Sequence, residues 1–521
     1  MKKRTLLRVG IGAALATTLA LTACSGPAPT SQDSPRTGGV LRYGVDSLPV
    51  VGGLDPVEGT QALANRIVLA QMYETLLTVD EAGKIQPGIA SAWTESADGR
   101  TFDFTIRNDV TFADGKPLTP EDVAYSISAA APNAPDQLAG FSQARVADGG
   151  KVVVTFDQPN GSFLPIASAW SGMFIFSKQW YESTPKDERM RSADGSGPFV
   201  FDSWQDGVKL TLKKNEKFHS ANDVKLDGIE WVQAPDNSTR LAMLQQGLLE
   251  AAEVTDPVIA DQAKAAGFVA GAAPVLRNMS LMISAAGTPL ENIDVRRAVS
   301  LAMDRDEIIR VGMTGKGESA LPIPPGDPRK LEQNPADAPY YKHDLEEAKS
   351  LIKKSGLSNI SIDLTYAGDI NAADVPILEV IKEQLKRVGI TLNLKAEAWS
   401  TISAIFGGAP APSGLIMIPA IAQSDISGYF APTSGSVLDF WGENPDAKQA
   451  RAIVLQMIHE PNPEERQKLA QQATDEYTKN VLVLIPASRV LGYEFLSTKV
   501  QGYKPDPFMG RMHLKDAWLQ G

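Results

Sequence analysis

A single cysteine, Cys24, in a chain of 521 residues excludes any intramolecular disulfide. Stability must therefore come from packing. Histidine is almost as scarce. His219, His343, His459 and His513 are scattered, none with a ligand-spaced partner, so no metal site is read from them. The sequence contains no HExxH, CxxC or GxSxG, patterns that place metal ligands or a nucleophile at working distance. Gly315-Lys316-Gly317 lacks both the upstream glycine and the hydroxyl residue that a phosphate-binding loop needs. With 62 carboxylates, close acid pairs are inevitable and carry no information. The expectation is a protein that is not an enzyme, with no catalytic residue and no cofactor.

Basic charge is also in deficit. Fifty Lys and Arg face 62 Asp and Glu, a net charge of −12. The four basic residues Lys2, Lys3, Arg4 and Arg8 belong to the N-terminus, so the remainder is more acidic still. Such a surface argues against nucleic acid as a partner, because phosphate contacts need cations. Past the N-terminus no long apolar run exists. The most apolar window, Phe163 to Phe176, is interrupted by Pro165, Ser168 and Ser171 and is too short to span a bilayer.

The N-terminus has its own pattern. A basic start is followed by an uncharged, Ala/Leu-rich stretch from Val9 to Ala23, then by Leu21-Thr22-Ala23-Cys24. This reads as a signal peptide over 1–23 with a lipobox. Cys24 becomes the first mature residue and the lipid attachment point, and two acyl chains hold where one is marginal. Residues 24–37 are rich in Ser, Thr, Pro and Gly and predict a flexible tether. The expected location is the outer face of a bacterial cell membrane.

The rest mixes strands and helices. Val40–Val45 predicts a strand, and helical spacing runs from Asn65 to Leu77. Phe102, Phe104 and Ile106 alternate with polar residues, as do Val208, Leu210 and Leu212. Thr119-Pro120-Glu121-Asp122 is a helix start, with a capping hydroxyl and proline in the first turn. In that helix Val123 and Ile127 share a face from which Tyr125 points away. A strand is predicted over Lys151–Phe156. Asp344 and Glu347 mark a second start, with a stop at Gly356. Ile360–Tyr366, Pro376–Val388 and Ile390–Lys395 form a strand–helix–strand unit. The class is α/β or α+β.

These segments resemble the extracellular solute-binding protein family 5, the peptide- and nickel-binding group of ABC importers. The resemblance runs from about Gly38 to the C-terminus through GGVLRYG (38–44), LDP (54–56), YETLL (73–77), IQPGIASAW (85–93), DGRTFDFTIRNDVTFADGKPLTPEDVAYS (98–126), GSGPF (195–199), DNSTRLAMLQQGLLEAAEV (236–254), DVRRAVSLAMDRDEII (294–309) and LPIPP (321–325). It implies an α/β, two-lobed periplasmic-binding-protein-like fold, the large three-domain type II variant, with a hinged inter-lobe cleft. Lobe one would comprise 38–60, 193–277 and 486–521, with 61–192 an inserted domain, and lobe two 278–485.

The resemblance also implies candidate ligand contacts. Asp425 takes the place of the acid that pairs with a peptide's α-ammonium, although Ile421-Ala422 stands where the family often has Gly-Trp. Trp399 takes the place of a tryptophan that walls the pocket. Tyr125 matches a tyrosine that reaches the cleft, and Asp46 and Ser47 lie where backbone contacts are made. Each residue also has an ordinary reading, as a loop acid, a core aromatic or turn chemistry. The partners implied are a peptide, the permease and ATPase subunits of an importer, and the membrane through the lipid anchor, with the protein itself a monomer. Two other readings stay open: the same fold holding a nickel chelate, opine or sugar, and a lipoprotein with no transport role.

Overall fold

The computed structural model describes residues 35–521 except 50–51, 62, 81–82, 134–137, 169–172, 271–274, 316, 318–339, 369–374, 408, 421–426, 428–443, 481–483, 506–511 and 521. Cys24, Asp425 and the block 321–325 lie outside the described residues. Pro35–Gly521 forms one contact unit.

Its frame is a mixed sheet of eleven strands. One half runs in the order Phe199–Gln205, Lys209–Lys214, Gly228–Gln233, Val40–Val45 and Ala251–Val254. The other runs in the order Val275–Ser284, Gly414–Ala420, Ile360–Ala367 and Ile390–Glu397. A single long strand, Leu484–Leu496, lies between the halves and belongs to both, and the eleventh strand, Val269–Ala270, pairs with its end at Phe495 and Leu496. Its early residues pair antiparallel with Val275–Met282, ending at Gly492 opposite Val275. From Tyr493 onward it pairs instead with Val254–Ala251. The strand thus changes partner between Gly492 and Tyr493.

Each half carries its own core, as two lobes require. Leu41, Tyr43, Phe199, Leu210, Trp231 and Leu496 pack on one face of lobe one. Leu241, Leu244, Ala252 and Phe495 fill the opposite face. Lobe two has a separate core that includes Met279, Leu364, Ile381, Leu392, Leu415 and Met457. Its strand–helix–strand unit is as the spacing predicts. Ile360–Ala367 and Ile390–Glu397 are parallel, with Ile360 opposite Ile390, and helix Val375–Lys386 connects them. Gly389 makes the turn at φ +85°, a conformation favourable to glycine.

A third body is built on a four-stranded antiparallel sheet in the order Ala90–Glu95, Thr101–Ile106, Lys151–Phe156 and Phe141–Ala147. Helix Pro120–Ala130 covers it. Thr119 accepts from the Asp122 N–H and the Asp122 carboxylate accepts from the Thr119 N–H, a reciprocal capping box. Val123 and Ile127 enter this body's core beside Phe102 and Phe104. Tyr125 faces the other way and packs at the edge of the lobe-one core, as its helical phase predicts.

Two local expectations need correction. The helix predicted over 65–77 spans Leu63–Met72 only. The Met72 carbonyl accepts from the Gly197 N–H (2.8 Å), and Glu74–Thr75 pairs with Phe174–Ile175, so sheet contacts end the helix early. Val208 is exposed and precedes the strand Lys209–Lys214, in which Leu210 and Leu212 are buried.

Buried arginines serve the backbone. Arg305 donates to the carbonyls of Pro486, Met303 and Tyr341, joining helix ends to the shared strand. Arg240 likewise holds the carbonyls of Ala234, Pro235 and Glu253. An unpaired buried carbonyl is costly, and the forked guanidinium satisfies several at once.

Candidate ligand cleft

The first strand ends in the lobe-one core. Val45 is buried and its carbonyl accepts from the Ala234 N–H (2.8 Å). Asp46 and Ser47 follow, both half-buried, and Ser47 Oγ donates to Asp46 Oδ1 at 3.0 Å. They stand at the carboxyl end of a strand flanked by two parallel neighbours. Open α/β sheets commonly bind ligands there.

Two residues back, the fully buried Tyr43 donates its hydroxyl to Glu494 Oε1 at 2.7 Å. Glu494 lies two residues beyond the partner change in the shared strand, directly opposite Glu253. Burial, with the added repulsion of Glu253, pushes the Glu494 carboxyl up to about 7. The Tyr43 phenol is raised well above its ordinary range, first by burial and then by the Glu494 and Glu253 charges. Both groups thus resist ionisation at the lobe-one end of the shared strand.

Tyr125 sits in an aromatic cluster. Its ring is 6.1 Å from both Phe176 and Tyr181, and Lys178 Nζ lies 5.6 Å above it. Tyr181 is in turn stacked under Arg189 at 4.0 Å, and Arg189 pairs with the buried Asp55 at 2.8 Å. Burial pushes the Tyr181 phenol up to about 12. Tyr125 thus packs between the four-stranded body and lobe one.

Trp399 opens helix Trp399–Ser403, just after strand Ile390–Glu397, and packs partly buried against the lobe-two core. Asp425 lies outside the described residues, as do 421–424 and 426; the nearest described residues are Ala420 and Ser427. Strand Gly414–Ala420 precedes it. Ser427 follows, buried, with Oγ 3.4 Å from Ser162 Oγ of the four-stranded body. Among the described residues the candidates thus fall in three places: Asp46 and Ser47 in lobe one, Tyr125 at the edge of the four-stranded body, and Trp399 in lobe two.

Sequence reasoning missed Glu494 and Ser488, whose buried Oγ has no hydrogen-bond partner among the described residues. A glutamate inside the largely apolar stretch 481–496 is a signal that could have flagged the first. The histidines with described side chains are each engaged. His219 Nε2 donates to Glu74 Oε1 (2.9 Å), His343 Nδ1 to the Leu301 carbonyl (3.0 Å), and His459 Nδ1 to the Pro159 carbonyl (2.9 Å). Among the described residues no cluster of three His, Cys, Asp or Glu could hold a metal ion, and no helix is long and apolar enough to cross a membrane.

Two lobes sharing one strand, with polar groups at the strand ends, define a solute-binding protein of the two-lobed periplasmic type. The pattern of the bacterial extracellular solute-binding proteins, family 5 Middle, matches residues 84–412, and the chain belongs to that family. Members supply ABC importers with solute from outside the cytoplasm. The glutathione-binding protein GsiB of Salmonella choleraesuis is 24% identical over 441 residues, covering 81% of this chain and 84% of the relative. Among solved structures, AgaA of A. tumefaciens R10 with agropinic acid superposes at TM-score 0.80 with 21% identity, covering 93% and 99% of the two chains. A dipeptide-binding protein from Pseudoalteromonas sp. SM9913 with Met-Leu superposes at 0.78 with 19% identity, covering 93% and 100%. These likenesses establish the two-lobed fold.

Proposed function

We propose that this protein captures short peptides between its lobes and hands them to the permease of an ABC importer, while anchored to the membrane through a lipid on Cys24. The observation that carries the peptide reading is the alignment of an acid, Asp425, with the family's amine-binding position, in a segment whose next described residue is buried against the four-stranded body. A carboxylate in the cleft would pair with a free α-ammonium, and such charge-assisted bonds are about twice as strong as neutral ones. Asp46 and Ser47 would meet the peptide backbone, and Trp399 and Tyr125 would wall the side-chain space. Water filling those spaces would let different side chains fit. The similarity to GsiB, a glutathione-binding protein, supports a small peptide-like solute.

A second reading has its own support. Ile421-Ala422 replaces the family's usual Gly-Trp before the acid, and AgaA, of the same fold, holds agropinic acid. An opine or another amino-acid conjugate would then be the cargo. Calorimetric titration separates the two. Glutathione or a free-amine tripeptide should bind at micromolar concentration or below, about −8 kcal/mol or stronger. Binding of agropinic acid with no peptide response would reverse the order of the readings.

The anchor has an independent test. Cys24→Ala should leave the protein unlipidated or unprocessed and shift it from the membrane fraction, with the processed mass showing which. Unchanged membrane retention with a normal processed mass would exclude lipid attachment at Cys24.

A further inference from the structure

Among the described residues the four-stranded body meets lobe two through residues far along the chain from any connection between them. The Gly161 N–H donates to the Ile458 carbonyl at 2.9 Å. His459 Nδ1 donates to the Pro159 carbonyl at 2.9 Å, and Arg466 Nη2 donates to Ser162 Oγ at 2.8 Å. Ser162 also faces Ser427. Both sides are shaped by their own bodies. On one, the Asn160 N–H donates to the Gly99 carbonyl (2.9 Å) and Asn160 Oδ1 accepts from the Ser162 N–H (3.0 Å). On the other, Arg466 Nε holds the Met457 carbonyl (3.0 Å) where helix Pro445–His459 ends, next to helix Pro463–Asn480.

We propose that the loop Pro159–Ser162 and the helix junction Ile458–Arg466 form a latch, made as the lobes close and broken as they open, that sets solute affinity from outside the cleft. The inference rests on the two-lobed hinged reading but not on the identity of the cargo. Two preorganised surfaces can part without either losing its internal bonds, and water replaces the shared ones. Contacts made only in the closed state shift the open–closed equilibrium towards closure. Solute bound in the closed state is then held more tightly, because less of its binding energy is spent on closing.

Gly161 shows how tightly the surfaces meet. A Cβ there would fall on the Glu460 carbonyl and lie 2.8 Å from Arg466 Cδ, and the nearest atoms it would meet all belong to lobe two. Its φ lies outside the left-handed region, so the backbone itself tolerates alanine. Gly161→Ala is therefore a wedge that acts only when the latch is shut.

The test uses the full chain with Cys24→Ala and the pair Ser162→Cys and Ser427→Cys, trapped as a disulfide under mild oxidation. The bridge should form, and adding Gly161→Ala should slow its formation about tenfold or more, since a clash of ~1.4 kcal/mol already gives that factor. The unfolding midpoint of Gly161→Ala alone, without solute, should stay within about 1 °C of the parent. Bridge formation at an unchanged rate, or no bridge in the parent, would overturn the latch. A fall of several degrees in the midpoint would also overturn it, because the contact would then be fixed scaffold. None of these readouts needs a solute, so a failed peptide titration and a failed latch remain distinguishable.

Discussion

Replacing Asp425 with alanine should weaken binding of a free-amine peptide about 30-fold or more. The acid is proposed to face the ligand's ammonium between the lobes, where closure removes water from both charges. Truncating one member of such a pair commonly costs ~2–5 kcal/mol, partly because the remaining charge is stranded. Asp425→Asn keeps the shape and loses the charge, so it should weaken binding in the same direction. N-acetylation of the peptide removes the other charge. It should reproduce the loss on the parent protein and add little on the variant, which separates a lost ion pair from misfolding. Equal binding of free and acetylated peptide by the parent would remove Asp425 as an amine anchor and favour the opine-type reading.

The second large effect concerns Glu494 and pH. Its carboxyl is fully buried beside Tyr43 and opposite Glu253, and sits at about 7 in the folded protein against 4.5 for a free side chain. Between those values the folded chain keeps a proton that the unfolded chain has released. The stabilisation tied to that proton is complete below about pH 4.5 and is lost as pH rises through 7. The loss amounts to about 3 kcal/mol at ~1.4 kcal/mol per unit. Glu494→Gln removes the titration while keeping an oxygen to accept from Tyr43. The difference in unfolding midpoint between parent and variant should therefore grow in the variant's favour from pH 5 to pH 8. Comparing two proteins cancels other buried acids, such as Asp194, which burial raises to about 6. Parallel pH profiles would show that Glu494 is charged and satisfied in the fold.

Local chemistry made much of the fold legible. Alternation identified the strands at Thr101–Ile106 and Lys151–Phe156, and the Thr119-Pro120 start and the glycines at 356 and 389 bounded helices as their capping and turn chemistry predicts. Helical phase alone turned Tyr125 away from Val123 and Ile127, and the two faces do enter different cores. What periodicity could not see was long-range pairing. The helix ending at Met72 is cut short by Gly197, more than a hundred residues on, and Glu494 is buried because Tyr43 and Glu253 arrive from distant strands. The approach of Gly161 to Ile458 has no local signature, since a glycine that admits another body's backbone reads like any turn glycine. The candidate site was legible only through resemblance, because Asp46, Trp399 and Tyr125 come from separate bodies and share no sequence pattern.

The central claim is that the cleft carries a peptide. It is tested most directly by purifying the full chain without refolding, denaturing it, and identifying the released small molecules by mass spectrometry. The account predicts short peptides with free amino termini, approaching one per chain. Release of an opine, a sugar or a metal chelate in that amount, with no peptide, would contradict it.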